Sequence, residues 1–168
     1  RPSLSAGLRG LQRLTFHLET AETDQHSGTT GGAARNPVAE LAQLVGEMFD
    51  ARRGRVRIPG FYDDVAKPSK QELADFRAAG FSIPRFKQVY DFKSLRTNDA
   101  LDAVKRLWAM PTFEVHGLVG GYAGPGVKTI VPPRAELKVS VRMVPKMKGE
   151  KVVKLIKGGQ WAQGALSQ

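Results

Sequence analysis

Few residues of this chain have side chains suited to chemistry, and the histidines come first among them. His17, His26 and His116 are the three imidazole groups, and the sequence has no cysteine. His17 and His116 share predicted strands with polar neighbours, so we interpret them as solvated or interface side chains. His26 instead lies in a turn-rich run that follows a strand, and such loops often carry binding groups on a rigid scaffold. Its position makes His26 the first candidate for a functional side chain.

The sequence predicts no metal centre within this chain. A catalytic zinc ion needs about three protein ligands, and a two-metal site needs bridging carboxylates beside histidines. There is no His-x-Asp, no His-Glu-x-x-His and no Glu-Glu pair, and the lack of cysteine excludes thiolate zinc and a thiol nucleophile. Asp63 and Asp64 could hold a cation, although a solvated acidic turn is the simpler interpretation. The residues alone favour a binding or assembly domain without metal or cofactor over a complete enzyme.

The strongly positive net charge raises the question of nucleic-acid binding. Lysine and arginine total 26 against 16 acidic residues, which gives a formal charge of +10. Because neutralisation of phosphates dominates affinity for nucleic acids, a basic nucleic-acid-binding α+β domain is an alternative function. The most basic stretch, residues 134–157, has eight basic and two acidic residues but no aromatic residue on which bases could stack. We therefore interpret this charge mostly as a solvated face.

Hydrophobic periodicity predicts an α+β chain. Apolar residues that alternate with polar ones, such as Leu14, Phe16 and Leu18, indicate strands, whereas apolar spacings of three and four indicate helices. Asn36 is the expected N-cap of the first helix and Pro37 its first residue. The predicted strands are residues 8–22, 112–119 and 135–143, and the predicted helices are residues 36–50, 69–79, 98–108 and 148–157.

The order of these elements is most of a ferredoxin-like β-α-β-β-α-β unit, an antiparallel sheet with two helices on one face. Residues 51–110 form a helical insertion, within which residues 81–96 show no clear period. The final strand of such a unit is not visible, so the sheet is short or the chain stops before the fold closes. We expect one domain over residues 1–157 and an unpatterned tail over residues 158–168.

Six strings of the sequence, taken in order, closely resemble the lid or dimerisation domain of a family of two-zinc peptidases. This family includes carnosinase, cytosolic nonspecific dipeptidase, aminoacylase and succinyl-diaminopimelate desuccinylase, and the dipeptidase branch is the most similar. The resemblance covers residues 7–157 and is specific, because six strings recur with compatible spacing. The strings are GLRGL at 7–11, DQHSG at 24–28, GGAARNP at 31–37, IPGFYDDV at 58–65, GGYAGPGVKTIVP at 120–132 and SVRMVP at 140–145.

The resemblance implies roles for three residues. His26 matches the histidine that reaches across the dimer into the partner's zinc site and stabilises the oxyanion of the tetrahedral intermediate. Thr129 matches a threonine that points toward the partner's substrate pocket, and Arg142 matches an arginine that binds the substrate carboxylate. Gln25 departs from the family, which more often has an apolar residue there. The zinc ligands and the general-base glutamate belong to a catalytic domain that this sequence does not contain.

The resemblance therefore implies a dimerisation and substrate-binding lid of a zinc-dependent, dipeptidase-like metallopeptidase. We expect the isolated chain to be inactive and to form a homodimer. Peptide or acyl-amino-acid substrates and two zinc ions are expected in a complete enzyme, and Arg1 as first residue fits a lid cut from a longer protein. No apolar run is long enough to cross a membrane and no signal pattern is present, so we expect a cytoplasmic location.

Overall fold

An antiparallel sheet with helices on one face organises the chain. The computed structural model describes residues 8–159. The strands are β1 (Gly10–Glu19), β2 (Gln25–His26), β3 (Phe49–Asp50), β4 (Arg55–Val56), β5 (Thr112–Gly120), β6 (Ile130–Val131) and β7 (Arg134–Met143). The helices are α1 (Ser27–Thr30), α2 (Pro37–Met48), α3 (Lys70–Ala78), α4 (Ile83–Val89), α5 (Ala100–Trp108) and α6 (Gly149–Lys157).

The main sheet has the order β1-β7-β5, and β7 pairs in antiparallel fashion with both of its neighbours. Strand alternation gives the sheet two unlike faces. The inner face carries Leu137, Val139 and Val141 of β7, each no more than 1% exposed. The outer face carries charged residues of the same strand, including Lys138 and Arg142, both of which are exposed.

Helices α2 and α6 cover the inner face. Leu41 and Met48 of α2 and Ile156 of α6 are each 1% exposed or less. Full burial of a large apolar side chain stabilises a fold by roughly 1.5–3 kcal/mol, so this layer is its main source of stability. The predicted α+β fold, an antiparallel sheet with two helices on one face, is confirmed.

The first turn of α2 follows the sequence prediction. The Oδ1 atom of Asn36 accepts hydrogen bonds from the amides of Val38 at 3.1 Å and Ala39 at 3.2 Å. These bonds satisfy donors that have no partner inside the helix. At its other end, α2 stops at Met48 rather than near Asp50, because β3 leaves the helix to pair with β4.

The helical insertion packs largely through aromatic rings. A capping box begins α3, where Ser69 and Glu72 exchange hydrogen bonds. The ring of Phe76 on α3 contacts the ring of Trp108 on α5 edge to face, with the ring centroids 5.5 Å apart. Helix α4 was not predicted. None of its residues is buried, and its Phe86 instead packs against three neighbouring rings at 5.0 to 5.6 Å.

The main sheet has three strands within residues 8–159, and no fourth strand pairs with β1 there. Residues 160–168, which make up most of the predicted tail, lie outside the described residues. In the part of the chain that the structure describes, no helix is both long and apolar enough to cross a membrane.

Candidate functional site

His26 is held by the segment that contains Thr129, although 103 residues separate the two in the chain. The short ladder of β2 and β6 pairs His26 with Ile130. The Ser27 amide donates to the carbonyl oxygen of Thr129 at 2.9 Å. The Nδ1 atom of His26 donates to the same oxygen at 3.1 Å. The structure thus brings together two of the three predicted site residues and anchors the histidine through both backbone and ring.

The carbonyl of Thr129 determines which ring nitrogen of His26 carries a proton. A carbonyl oxygen only accepts, so Nδ1 must be the donor, and Nε2 has a free lone pair when the ring is neutral. The Thr129 hydroxyl lies 3.4 Å from Nδ1 as well. For Nε2 to donate a hydrogen bond to a developing negative charge, the ring must therefore be the doubly protonated imidazolium.

Gly28 leaves room beside the Nε2 atom of His26. A Cβ atom at position 28 would lie 3.2 Å from Nε2 and 3.3 Å from Cε1. These distances are shorter than ordinary van der Waals contact, so a side chain would crowd the nitrogen that Thr129 does not use. Because His26 is itself exposed, the glycine keeps that nitrogen accessible to a ligand.

Arg142, the third predicted site residue, lies on the outer face near the end of β7. Its partners in the sheet are Leu11 of β1 and Thr112 of β5. No ion pair within residues 8–159 includes Arg142. An exposed guanidinium without a partner suits the two oxygens of a ligand carboxylate.

Lys138 is less available for such a ligand than Arg142. Its Nζ atom lies 2.9 Å from a carboxylate oxygen of Glu136 on the same strand. The hydrogen bond from Lys138 is the main reason that the pKa of Glu136 lies below its ordinary value. On this part of the outer face, the lysine already has an internal counter-ion.

His26 and Arg142 lie at opposite ends of the sheet. Arg142 faces Leu11 near the start of β1, whereas His26 follows the end of β1, where Glu19 faces Arg134. Arg134 and Arg142 are eight residues apart on β7. A strand rises about 3.3 Å per residue, so these ends are roughly 25 Å apart. Since a dipeptide spans only about 7 Å, one chain cannot place both side chains on the same small substrate.

The other two histidines make local contacts on the outer face. His17 Nδ1 lies 3.3 Å from a carboxylate oxygen of Glu136, and His116 Nε2 lies 2.7 Å from the Ser140 hydroxyl. Neither contact builds a further site.

The acidic pair at residues 63–64 has a structural contact. The carboxylate of Asp64 accepts a hydrogen bond from Lys151 Nζ at 2.7 Å, which raises the pKa of the lysine. Within residues 8–159, no group of three or more histidine, aspartate or glutamate side chains is arranged to hold a metal ion. Zinc therefore does not fit the described residues.

A cavity of about 760 Å³ lies where the insertion meets the start of β5, but none of the three predicted site residues lines it. Several of the residues that line this cavity are basic. Arg96 and Arg106 donate to the backbone carbonyls of Ala51 and Arg53, each at 3.3 Å. Two of its basic residues therefore hold the neighbouring loop in place.

Comparison with known proteins identifies the class. The peptidase dimerisation domain family matches residues 7–158, so the chain belongs to this family. It is 29% identical to the Beta-Ala-His dipeptidase of Homo sapiens, over 93% of this chain and 31% of that protein. It is 30% identical to the Cys-Gly metallodipeptidase DUG1 of Saccharomyces cerevisiae, over 93% of this chain and 32% of that protein. The resemblance drawn from the six strings is confirmed, including its dipeptidase branch.

Solved structures that resemble this chain also include peptidases. The M20 family metallo-carboxypeptidase Sso-CP2 from Sulfolobus solfataricus has a TM-score of 0.89 at 34% identity, covering 98% of this chain and 42% of that chain. Human carnosine dipeptidase 1 has a TM-score of 0.81 at 29% identity, covering 89% of this chain and 32% of that one. This chain spans about a third of the length of the two dipeptidases compared above.

Proposed function

We propose that this chain is the lid of a dimeric, dipeptidase-like zinc peptidase and contributes residues to two different active sites. The observation that carries the proposal is the separation of His26 from Arg142 by the length of β7, roughly 25 Å. If both residues act on one small substrate, they must come from different copies of the chain. The names of the relatives, which include two dipeptidases, support peptides as the substrate class.

His26 is the residue of this chain that we assign to the chemical step. As the imidazolium, it donates from Nε2 to the oxygen of the peptide carbonyl as negative charge develops there. The Thr129 carbonyl holds Nδ1 at 3.1 Å, so the ring is oriented before substrate arrives. The Thr129 side chain lies beside it and contacts the same substrate. Zinc and its ligands belong to another part of the enzyme, since residues 8–159 contain no such cluster.

Arg142 is assigned to the active site at the other end of the sheet. Its guanidinium binds the C-terminal carboxylate of a peptide or of an acyl-amino acid. This contact positions the substrate and selects against substrates whose C-terminus is an amide. Each active site of the dimer would therefore contain Arg142 from one chain and His26 with Thr129 from the other.

The free edge of β5 and the neighbouring face of α2 are the surfaces that we propose for dimerisation. Val115, Leu118 and Val119 of β5 remain 42%, 37% and 67% exposed, which is unusual for three apolar residues on one strand. On α2, a Cβ at Gly46 would meet nothing within 4 Å, so a second helix could approach closely. A two-fold axis beside β5 would join two copies by the same surface.

Analytical ultracentrifugation of the isolated chain tests the assembly directly. We expect a dimer and no hydrolysis of dipeptides, with or without added zinc. V119D places like charges opposite each other across a two-fold axis and should give a monomer. V89D is the matched control, because Val89 is 63% exposed and lies on α4, which is not part of the proposed interface. A strict monomer would contradict the assembly, and zinc-dependent cleavage by this chain alone would contradict its inactivity.

The nucleic-acid alternative receives no support from the sheet. Phe16 and Phe113 lie on the inner face, 7% and 1% exposed, so neither can stack on a base. Within residues 8–159, the outer face carries no phenylalanine, tyrosine or tryptophan. Binding of an oligonucleotide to this chain, with an affinity that falls steeply as the salt concentration rises, would support nucleic-acid binding. A cytoplasmic location remains part of the proposal, and the absence of cysteine is compatible with it.

A further inference from the structure

Arg9 carries a buried hydrogen-bond donor that nothing in the described structure satisfies. Its Nη1 atom is shielded from solvent and has no hydrogen-bond partner within residues 8–159. Burial is also the main reason that the pKa of this guanidinium lies below its ordinary value. A buried charged donor without a partner is costly, and a ligand that accepts a hydrogen bond from it would remove that cost.

The register of the sheet places Arg9 beside Arg142. Arg142 faces Leu11, and pairing ends one step further on, where Gly10 faces Met143. Arg9 precedes Gly10 and lies two residues from Leu11. By strand alternation, Arg9 and Arg13 are the two diagonal neighbours of Arg142 on the outer face. Burial, and after it the charge of Arg142, lowers the pKa of Arg9, as expected for neighbouring guanidiniums.

These two cations have no paired carboxylate. No ion pair within residues 8–159 includes Arg9 or Arg142. Glu114 of β5, which faces Ser140 across the sheet, raises the pKa of Arg9 from a longer range. With Arg13, the other diagonal neighbour of Arg142, the local balance is three positive charges and one negative charge. The excess of positive charge favours an anionic ligand.

We propose that Arg9 is a second carboxylate-binding residue, which together with Arg142 holds the C-terminal carboxylate of the substrate. Arg142 is exposed, and the half-buried Arg9 supplies a second guanidinium beside it. Because its Nη1 atom is shielded from solvent, the Arg9 side chain must turn outward to donate to the carboxylate. The preferred substrates are peptides and acyl-amino acids that end in a free carboxylate. This assignment rests on the carboxylate role proposed above for Arg142.

NMR of the arginine Nε–Hε signals of the 168-residue chain tests the assignment without requiring catalysis. The probe is N-acetylglycine in low-salt buffer, and N-acetylglycinamide, which lacks the carboxylate, is the matched ligand control. Both Arg9 and Arg142 should shift with the acid and not with the amide. R9M should weaken binding of the acid about tenfold, the loss typical of a hydrogen bond to a charged group. R9K, which keeps the charge but loses the planar fork, should bind with intermediate affinity.

Arg13 supplies the matched protein control. It is the other diagonal neighbour of Arg142 and is exposed, so R13M removes one charge without removing a buried donor. Its effect should be less than about twofold, as for a screened surface charge. If R9M binds like the native chain while R142M does not bind, Arg9 is not part of the site and the role of Arg142 stands. If R142M binds like the native chain, the carboxylate role of Arg142 is wrong. Absence of binding to the native chain would overturn both.

Discussion

The carbonyl oxygen of Thr129 lies 3.1 Å from Nδ1 of His26, and this contact fixes the ring of the one histidine assigned to chemistry. The same oxygen also accepts the Ser27 amide. The segment of His26 and Ser27 is therefore hydrogen-bonded to the connection between β5 and β7. The orientation of Nε2 is set before any substrate or partner is present, which is the kind of preorganisation that catalysis requires.

This contact predicts the tautomer of His26. When the ring is neutral, its proton should reside on Nδ1, because the Thr129 carbonyl cannot donate. Nitrogen-15 NMR of the imidazole distinguishes the two tautomers. T129A keeps the backbone carbonyl and should leave the tautomer unchanged. A neutral His26 protonated on Nε2 would contradict the geometry.

Gly28 should be sensitive to the addition of a single methyl group. In the complete enzyme, G28A places Cβ 3.2 Å from Nε2 of His26 and displaces the ring or blocks its approach to substrate. We expect kcat to fall by about tenfold to a hundredfold, with a much smaller change in KM. T29A, at the next position of α1, adds no atom beside the ring and should leave kcat unchanged. Equal kcat values for G28A and the native enzyme would show that this nitrogen needs no open space.

The N-cap of α2 should contribute measurably to stability. N36A removes an acceptor of two amide hydrogen bonds, and we expect the free energy of unfolding to fall by about 1 kcal/mol. Chemical denaturation followed by circular dichroism measures this change. N98A is the control, since Asn98 is exposed and precedes the N-cap of α5, and its effect should lie within about 0.5 kcal/mol. Similar losses for both variants would count against the capping role.

Glu40 should make stability depend on pH. Arg35 donates to its carboxylate at 2.9 and 2.6 Å, and this hydrogen bonding holds the pKa of Glu40 below its ordinary value of 4.5. A carboxylate whose pKa is lowered by folding stabilises the fold above its unfolded pKa and loses that contribution as pH falls through its folded pKa. E40Q should therefore lower the free energy of unfolding at pH 7, by less than about 1 kcal/mol for a surface pair.

The difference between E40Q and the native chain should disappear in acid, below the folded pKa of Glu40. Denaturation curves collected at several pH values measure it. E22Q alters an exposed glutamate for comparison and should show no such pH-dependent difference. A difference for E40Q that persists unchanged in acid would mean that the ion pair is not its cause.

The sequence predicts the elements whose patterns arise from burial. Alternation in β1 and β7 and the apolar face of α2 exist because each element buries one side against the same core, which is where Leu137 and Met48 lie at 0% exposure. Helix α4 has no such pattern because it buries none of its residues and packs through Phe86 and neighbouring rings instead. A helix without a buried face leaves no periodic signal.

The site was only partly predictable. The strings DQHSG and GGYAGPGVKTIVP identify His26 and Thr129. No local pattern predicts that two strands of two residues each bring these residues together across 103 positions. Arg9 falls within the GLRGL string, yet its charge alone resembles any basic residue at the start of a strand. Its shielded Nη1 atom becomes visible only when the chain is folded.

Complementation between two inactive variants of the complete enzyme tests the proposed sharing of active sites most directly. H26A and R142M should each be nearly inactive as homodimers, because every site then lacks one of the two residues. After the two variants are mixed and allowed to exchange subunits, half of the dimers contain one chain of each kind. One of the two sites in each mixed dimer regains both residues, so activity should recover to about a quarter of the native value. No recovery, despite mixed dimers confirmed by mass spectrometry, would show that His26 and Arg142 serve the same site from one chain.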